Sequence, residues 1–387
     1  MVKEAFEISV PDEVLRDLQE RLARVRYPMD FANENWSYGT NRAYLEELVA
    51  YWRTGYDWRK HEAEINRFSN FKTTIDNVPI HFIHEPGKGP SPIPLILSHG
   101  WPWTFWDLQK LVRPLADPAA YGADPADAFD VVVPSLPGFC FSTPLRKPGI
   151  NWWRTAELWV TLMRDVLGYQ KFAAQGGDWG AFITQQLGHK YPQHLIGIYL
   201  TLAIPMDFFS GGGLKETDFG PDEQAALTRT REARPAIISH VAVQTRDPQT
   251  LAYGMHDSPV ALLAWILERR RAWSDCGGDV ERRYSKDELL THIMLYWVTE
   301  CFVTSVRYYW EAHKNPWTPV HDRMPVVEAP TAIGVFPREL LLPPRKWAER
   351  YFNLRHWTPM TAGGHFAPSE EPEQLVKDIR AFYRKLR

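Results

Sequence analysis

The sequence predicts an α/β protein: a mostly parallel sheet with helices on both faces, preceded by a helical arm and interrupted by a helical insertion. Three observations lead there. Short apolar runs at 93–97, 129–133, 172–175 and 196–202 alternate with helical periodicities, the pattern of a parallel sheet buried on both sides. That alternation stops at about residue 205. Strand character returns only at 331–336 and 355–358, ahead of a closing amphipathic helix.

Taken in order, residues 11–27 place Val14, Leu15, Leu18, Leu22 and Val25 at helical spacing, with Asp12 and Glu13 at the end where negative charge is favoured. The polar face mixes Arg, Asp and Glu, so this helix is expected to pack on the protein and not on a membrane surface. Further helices over 41–55 and 58–68 complete an arm of residues 1–70. A hairpin follows over 73–83, with a turn at Asp76-Asn77 and alternation from Val78 to Ile83. Strand 93–97, helix 105–115, strand 129–133, helix 155–167, strand 172–175, helix 181–191 and strand 196–202 fill the first part of the core, 71–204. The insertion, 205–325, reads as helices and loops, including helix-like 260–273 and 286–309. The second core part, 326–387, adds two strands and a last helix with Leu375, Val376, Ile379 and Phe382 on one face.

The 387 residues suit one large α/β domain carrying an inserted subdomain, and 44% hydrophobic with 24% charged residues excludes a disordered chain. A net charge of -3, from 44 basic and 47 acidic residues spread along the chain, leaves no footprint for nucleic acid or an anionic membrane. Cys140, Cys276 and Cys301 lack metal-ligand spacing and are expected to be reduced. No apolar stretch approaches the roughly 20 residues of a membrane span, and Lys3, Glu4 and Glu7 replace a signal-peptide core. A soluble, cytoplasmic protein is the expectation. Seventeen tryptophans suggest walls for an apolar ligand, and an apolar surface between insertion and arm would support a homodimer.

The strongest local signal is Gly176-Gly177-Asp178-Trp179-Gly180, between an apolar strand and a helix. An isolated Gly-Asp there would read as a helix cap. Glycines two before and two after a central residue instead fit a tight strand-to-helix turn that lifts a nucleophile above the sheet. Here that residue is a carboxylate, whose attack on carbon gives an alkyl ester that water must open at its carbonyl. This chemistry suits epoxides and alkyl halides, disfavours serine-esterase chemistry, and calls for no cofactor or metal. In His99-Gly100-Trp101-Pro102-Trp103, after the strand at 93–97, the N–H of Trp101 is a candidate oxyanion donor, with the N–H of Trp179 as the second. His99 is read as orienting the loop. His365, in Gly363-Gly364-His365-Phe366 after the last strand, is the candidate general base. Glu339, 26 residues earlier and just past the strand at 331–336, is the carboxylate expected to orient it. Glu328, Glu370 and Glu371 read as solvated.

With these residues in place, the chain resembles the microsomal-type epoxide hydrolases, a branch of the α/β-hydrolase fold with a helical N-terminal arm. The likeness runs through Phe6-Glu7-Ile8-Ser9-Val10-Pro11, Leu15 to Pro28, Asp57-Trp58-Arg59, His99 to Pro102, Pro134-Ser135-Leu136-Pro137-Gly138-Phe139, Gly176 to Gly180, Phe336-Pro337-Arg338-Glu339 and Gly363 to Ala367. It implies a helical cap, opening of a small-molecule epoxide by an Asp, two cap tyrosines polarising the oxygen, and a His-carboxylate pair activating water, to give a vicinal diol. Asp178, Glu339 and His365 match the triad, and Tyr309 matches one tyrosine. At the other tyrosine position stands His240, which would either supply a second hydrogen bond or shape the pocket. Cys140 likewise stands where the family has glycine. A haloalkane dehalogenase shares the Asp-ester logic, and a hydrolase-fold protein that merely binds an apolar ligand is the remaining alternative. Halide release separates the first from an epoxide hydrolase, and turnover of any epoxide disposes of the second.

Overall fold

The computed structural model describes residues 2–387, apart from the side chains of residues 233, 234, 236 and 238. A two-residue strand, β1 (Glu4–Ala5), opens the chain and pairs antiparallel with β2, an edge contact too short to leave a sequence signal. The arm follows as α1 (Asp12–Ala23), α2 (Arg42–Thr54) and α3 (Trp58–Ile65). The first helix stops short of the predicted residue 27, in keeping with Pro28, which biases its predecessor away from helical backbone. In α2 the Asn41 side chain caps the N-terminus by accepting from the Tyr44 N–H at 3.0 Å. Buried Glu62 ties the entering chain to α3, accepting from the Val10 N–H at 2.7 Å and the Trp58 indole at 3.1 Å.

The hairpin β2 (Asn70–Ile75) and β3 (Val78–Glu85) turns at Asp76 and Asn77, both left-handed with φ of 51° and 62°, as a two-residue hairpin requires. Then come β4 (Ile93–Ser98), α4 (Gln109–Ala116), β5 (Phe129–Pro134), α5 (Trp152–Thr161), β6 (Phe172–Gly176), α6 (Trp179–Lys190) and β7 (Leu195–Leu200). Five helices occupy the insertion: α7 (Gln224–Gln244), α8 (Pro248–Asp257), α9 (Pro259–Trp273), α10 (Lys286–Trp297) and α11 (Phe302–Lys314). The core resumes with β8 (Val327–Val335), α12 (Arg345–Tyr351), β9 (Phe352–Pro359), the short α13 (Ala367–Glu370) and α14 (Pro372–Tyr383).

The nine strands form one sheet in the order β1-β2-β3-β5-β4-β6-β7-β8-β9. Pairs up to β3/β5 are antiparallel and all later ones parallel. The carboxyl ends of β4, β6, β8 and β9 therefore converge on one edge of the molecule, where ligands bind in such sheets. The expected helix-like stretch 286–309 is in fact two helices meeting at 78°. The chain breaks between them at Glu300, whose φ of 54° no helix accepts. Both are core helices, with Leu289 to Trp297 buried throughout α10. Among the described residues no single helix is long and apolar enough to cross a membrane. The arm grips the insertion through Arg21 on Asp257 (2.8 Å), Tyr51 donating to Asp287 (2.7 Å) and Tyr56 against Thr291 (3.0 Å).

Candidate active site

Asp178 stands between β6 and α6 with φ 51° and ψ -126°, a conformation an L-residue holds only when its surroundings impose it. The surroundings here are backbone. A Cβ on Gly176 would lie 2.0 Å from the Gly180 carbonyl oxygen, and one on Gly180 would lie 2.0 Å from that of Ser98. Chain segments thus cross in direct contact beneath the carboxylate, as the glycine spacing required. The helix begins at Trp179, earlier than the expected 181, so the Trp179 N–H is among the first-turn donors that have no acceptor within the helix. The Trp101 N–H donates to Asp178 Oδ1 at 2.8 Å.

Close approach of that loop depends on Gly100, to which the sequence reading gave no role of its own beyond its place in the motif. A Cβ on Gly100 would sit 2.2 Å from Asp178 Oδ1. His99 points elsewhere: its Nε2 accepts from the Leu136 N–H at 3.0 Å and its Nδ1 donates to the Gly100 carbonyl at 3.0 Å, while burial lowers its pKa to about 4. It joins two loops and stays neutral. Cys140 has φ 43°, left-handed backbone that explains why glycine is expected there. All three cysteines are free and buried.

His365 Nδ1 donates to Glu339 Oε1 at 2.7 Å, and its Nε2 lies 3.3 Å from Asp178 Oδ2, an ion-pair separation without hydrogen-bond alignment. Glu339 is turned toward the imidazole by the Leu340 N–H, which donates to the same Oε1 at 2.6 Å. Burial opposes a charge on His365, but Glu339 and Asp178 outweigh it and push its pKa up to about 10. The imidazole of the free protein is therefore protonated at neutral pH. Three rings close around it, with centroids of Trp273, Phe366 and Trp103 at 5.2, 5.2 and 5.5 Å.

Across the cavity, Tyr309 of α11 and His240 of α7 meet with the phenol oxygen 3.2 Å from His240 Nε2. Tyr309 packs edge-on against Trp179 at 4.7 Å, and His240 stacks on Trp101 at 5.1 Å and 16°. Burial, and then the charge of Asp178, hold the Tyr309 pKa well above its usual value, so it is a neutral donor. The cavity these groups share has a volume of about 50 Å³ and is walled by Trp179, Phe182, Phe208, Ile237 and Trp273. That is room for water but well short of the roughly 300 Å³ at which small-molecule pockets begin. Among the described residues no cluster of His, Cys, Asp or Glu is arranged to hold a metal.

Three further residues bear on the site. Trp273 at the end of α9 lines the cavity and accepts the His365 N–H on its carbonyl at 3.0 Å. Arg270, one turn earlier, pairs with Asp107 at 2.5 Å and lies 4.1 Å over the Phe366 ring. Glu370, expected to be solvated, is instead buried and accepts three backbone N–H groups. The sequence carried no sign of this, because the distinction depends on which chain packs above the loop. Glu328 is the ordinary surface case, paired with Arg323 at 2.7 Å.

A parallel sheet with a carboxylate at the strand-to-helix turn, a buried His-Glu pair and a helical insertion above them defines an α/β-hydrolase. The comparisons with known proteins agree: residues 93–274 match the family described as alpha/beta hydrolase fold, and residues 3–108 match Epoxide hydrolase N terminus. Epoxide hydrolase 1 of Sus scrofa is 36% identical over 97% of this chain and 87% of its own. The structure of Aspergillus niger epoxide hydrolase superposes with a TM-score of 0.86 at 26% identity, covering 100% of this chain and 97% of that one. Juvenile hormone epoxide hydrolase from Bombyx mori gives 0.85 at 27% identity, covering 99% and 94%. The chain belongs to the epoxide hydrolase family, and it is a hydrolase.

Proposed function

We propose that this enzyme converts a bulky apolar or aromatic epoxide to a vicinal diol through an alkyl ester on Asp178. The observation that carries the reading is the convergence of Asp178, His365 and Tyr309 on one apolar cavity.

In the first step Asp178 Oδ2 attacks an epoxide carbon, the C–O bond of the ring breaks, and Tyr309 gives its proton to the departing oxygen. Oδ1, held by the Trp101 N–H, becomes the ester carbonyl. Ester formation removes the Asp178 charge. That charge raises the pKa of both His365 and Tyr309, so its loss favours proton release from each as the intermediate forms. The His365 proton returns to the Tyr309 phenolate, and the imidazole is left neutral. In the second step His365 takes a proton from water, hydroxide attacks the ester carbonyl, and the oxyanion is met by the N–H groups of Trp101 and Trp179. The acyl C–O bond breaks, the proton of the added hydroxyl passes to the departing alkoxide, the diol leaves with the former Asp178 oxygen, and carboxylate and imidazolium are restored.

His240 fits a supporting role beside Tyr309, fixing its hydroxyl by their shared hydrogen bond. His99 orients the Trp101 loop through its two backbone contacts. The tryptophan-rich walls favour an apolar substrate. Admitting a bulky one requires the cavity to widen, and the half-buried Phe208, Ile237, Val241 and Leu341 at its rim are the side chains that would have to part. Purified enzyme should turn over aryl epoxides to diols and release no halide from haloalkanes. Halide release without diol formation would move the assignment to a dehalogenase, and inertness toward both would leave a binding protein.

A further inference from the structure

The loop that presents His365 is held in an unusual way, and the inference drawn from it rests on the reading of His365 as the base. Four successive backbone N–H groups, those of residues 363 to 366, all find acceptors. The Gly363 N–H donates to Asp275 Oδ2 at 3.0 Å, Gly364 to Glu370 Oε2 at 3.1 Å, His365 to the Trp273 carbonyl at 3.0 Å, and Phe366 to Glu370 Oε1 at 2.9 Å. Glu370 Oε2 also accepts the Asp275 N–H at 2.7 Å. Every acceptor therefore belongs either to one buried carboxyl or to residues 273–275, at the end of cap helix α9.

A carboxyl buried to this depth is costly unless donors surround it, and here two come from the residues on either side of the base and the third from Asp275 of the cap. Burial raises the Glu370 pKa to about 7, against the pull of its backbone donors and Arg283. Gly363 and Gly364 bring no side chain to packing, so the half of the loop before His365 is held by its backbone hydrogen bonds. Gly364 is also pinned from above, where a Cβ would come 2.7 Å from the Trp273 carbonyl oxygen.

We infer that Glu370 is a positioning residue for His365, which with Trp273 and Asp275 of the cap sets the imidazole in place, so that the base reaches the Asp178 ester only while the end of α9 is docked. The step affected is hydrolysis of the ester. Alkylation, which uses Asp178 and Tyr309, has no need of the loop's alignment. A role confined to stabilising α13 would lower folded protein and leave the ratio of the two steps unchanged.

The test is single-turnover reaction with styrene oxide, following the Asp178 peptide and the diol by quenched mass spectrometry, with circular dichroism as the check on folding. In Glu370→Gln the new amide N–H faces the loop's own donors, and hydrolysis should slow about 100-fold while alkylation changes less than about threefold. Asp275→Ala removes the Gly363 contact together with the ion pairs to Arg283 (3.2 Å) and Arg338 (3.8 Å), from a carboxylate with 26% of its side chain exposed, and should slow hydrolysis about tenfold. If Glu370→Gln does not fold, Asp275→Ala decides alone. Equal slowing of both steps, or unchanged hydrolysis in the folded variants, overturns the inference while wild type still forms the ester. Absence of any Asp178 ester in wild type overturns the parent reading as well.

Discussion

At the floor of the cavity Asp178 is placed by main chain, whereas at its roof Tyr309 and His240 are placed by rings. The floor depends on glycines whose missing side chains let β6, α6 and the loop after β4 touch, and on one amide aimed at Oδ1. Backbone contact of that kind leaves almost no freedom. The roof depends on a phenol and an imidazole 3.2 Å apart on two different cap helices, steadied by Trp179 and Trp101. Stacked rings tolerate substitution better and can move with their helices. On the proposed mechanism the floor would carry the reaction's fixed geometry, and the roof would carry what adapts to substrate.

Substitutions at the two ends test that contrast. Asp178→Asn should abolish the ester and lower turnover by about 10⁴-fold, read as diol formation under saturating epoxide. His365→Gln should leave alkylation largely intact and slow hydrolysis by about 10²- to 10⁴-fold, so that the esterified Asp178 peptide accumulates. Tyr309→Phe should slow alkylation by about 100-fold with hydrolysis of preformed ester unchanged. A loss at Tyr309 matching that at Asp178 would erase the distinction between floor and roof.

The pH dependence sharpens the same contrast. In the free enzyme His365 stays protonated up to about pH 10, because Glu339 and Asp178 together overcome its burial. Once Asp178 is an ester its share of that effect is gone and the pKa falls. Hydrolysis, which needs neutral imidazole, should therefore accelerate as pH rises and level off with a midpoint below about 10, measured on preformed alkyl-enzyme. A rate that falls with rising pH would contradict His365 as base. The smallest effect is expected at His240→Ala, about tenfold on alkylation, through loss of the bond that steadies Tyr309. If alkylation by wild type declines through the histidine range and the variant loses that decline, His240 acts as a protonated donor in its own right.

The same division decides what the sequence disclosed. Floor residues were legible because backbone crossings select glycine at fixed spacing, which marked Asp178, and because the loop after the last strand singled out His365 among 13 histidines. Tyr309 and His240 emerged only through family resemblance, since a helix-face ring looks alike in a core and in a site. The parallel order of the core strands followed from their apolar runs, but the two-residue β1 and the break at Glu300 did not, being fixed by tertiary contact and not by local pattern. Glu370 was misread as solvated because its partners include the N–H of Asp275, 95 residues away in the cap. The walls expected from the tryptophans are found in part, since Trp179 and Trp273 line the cavity.

A covalent ester on Asp178 can be detected in one turnover of excess enzyme on an aryl epoxide in ¹⁸O-labelled water, with diol and Asp178 peptide weighed separately. Unlabelled diol and ¹⁸O in Asp178 are the expected outcome. Label in the diol, with Asp178 unlabelled, would mean that water attacks the epoxide directly and that Asp178 is not the nucleophile.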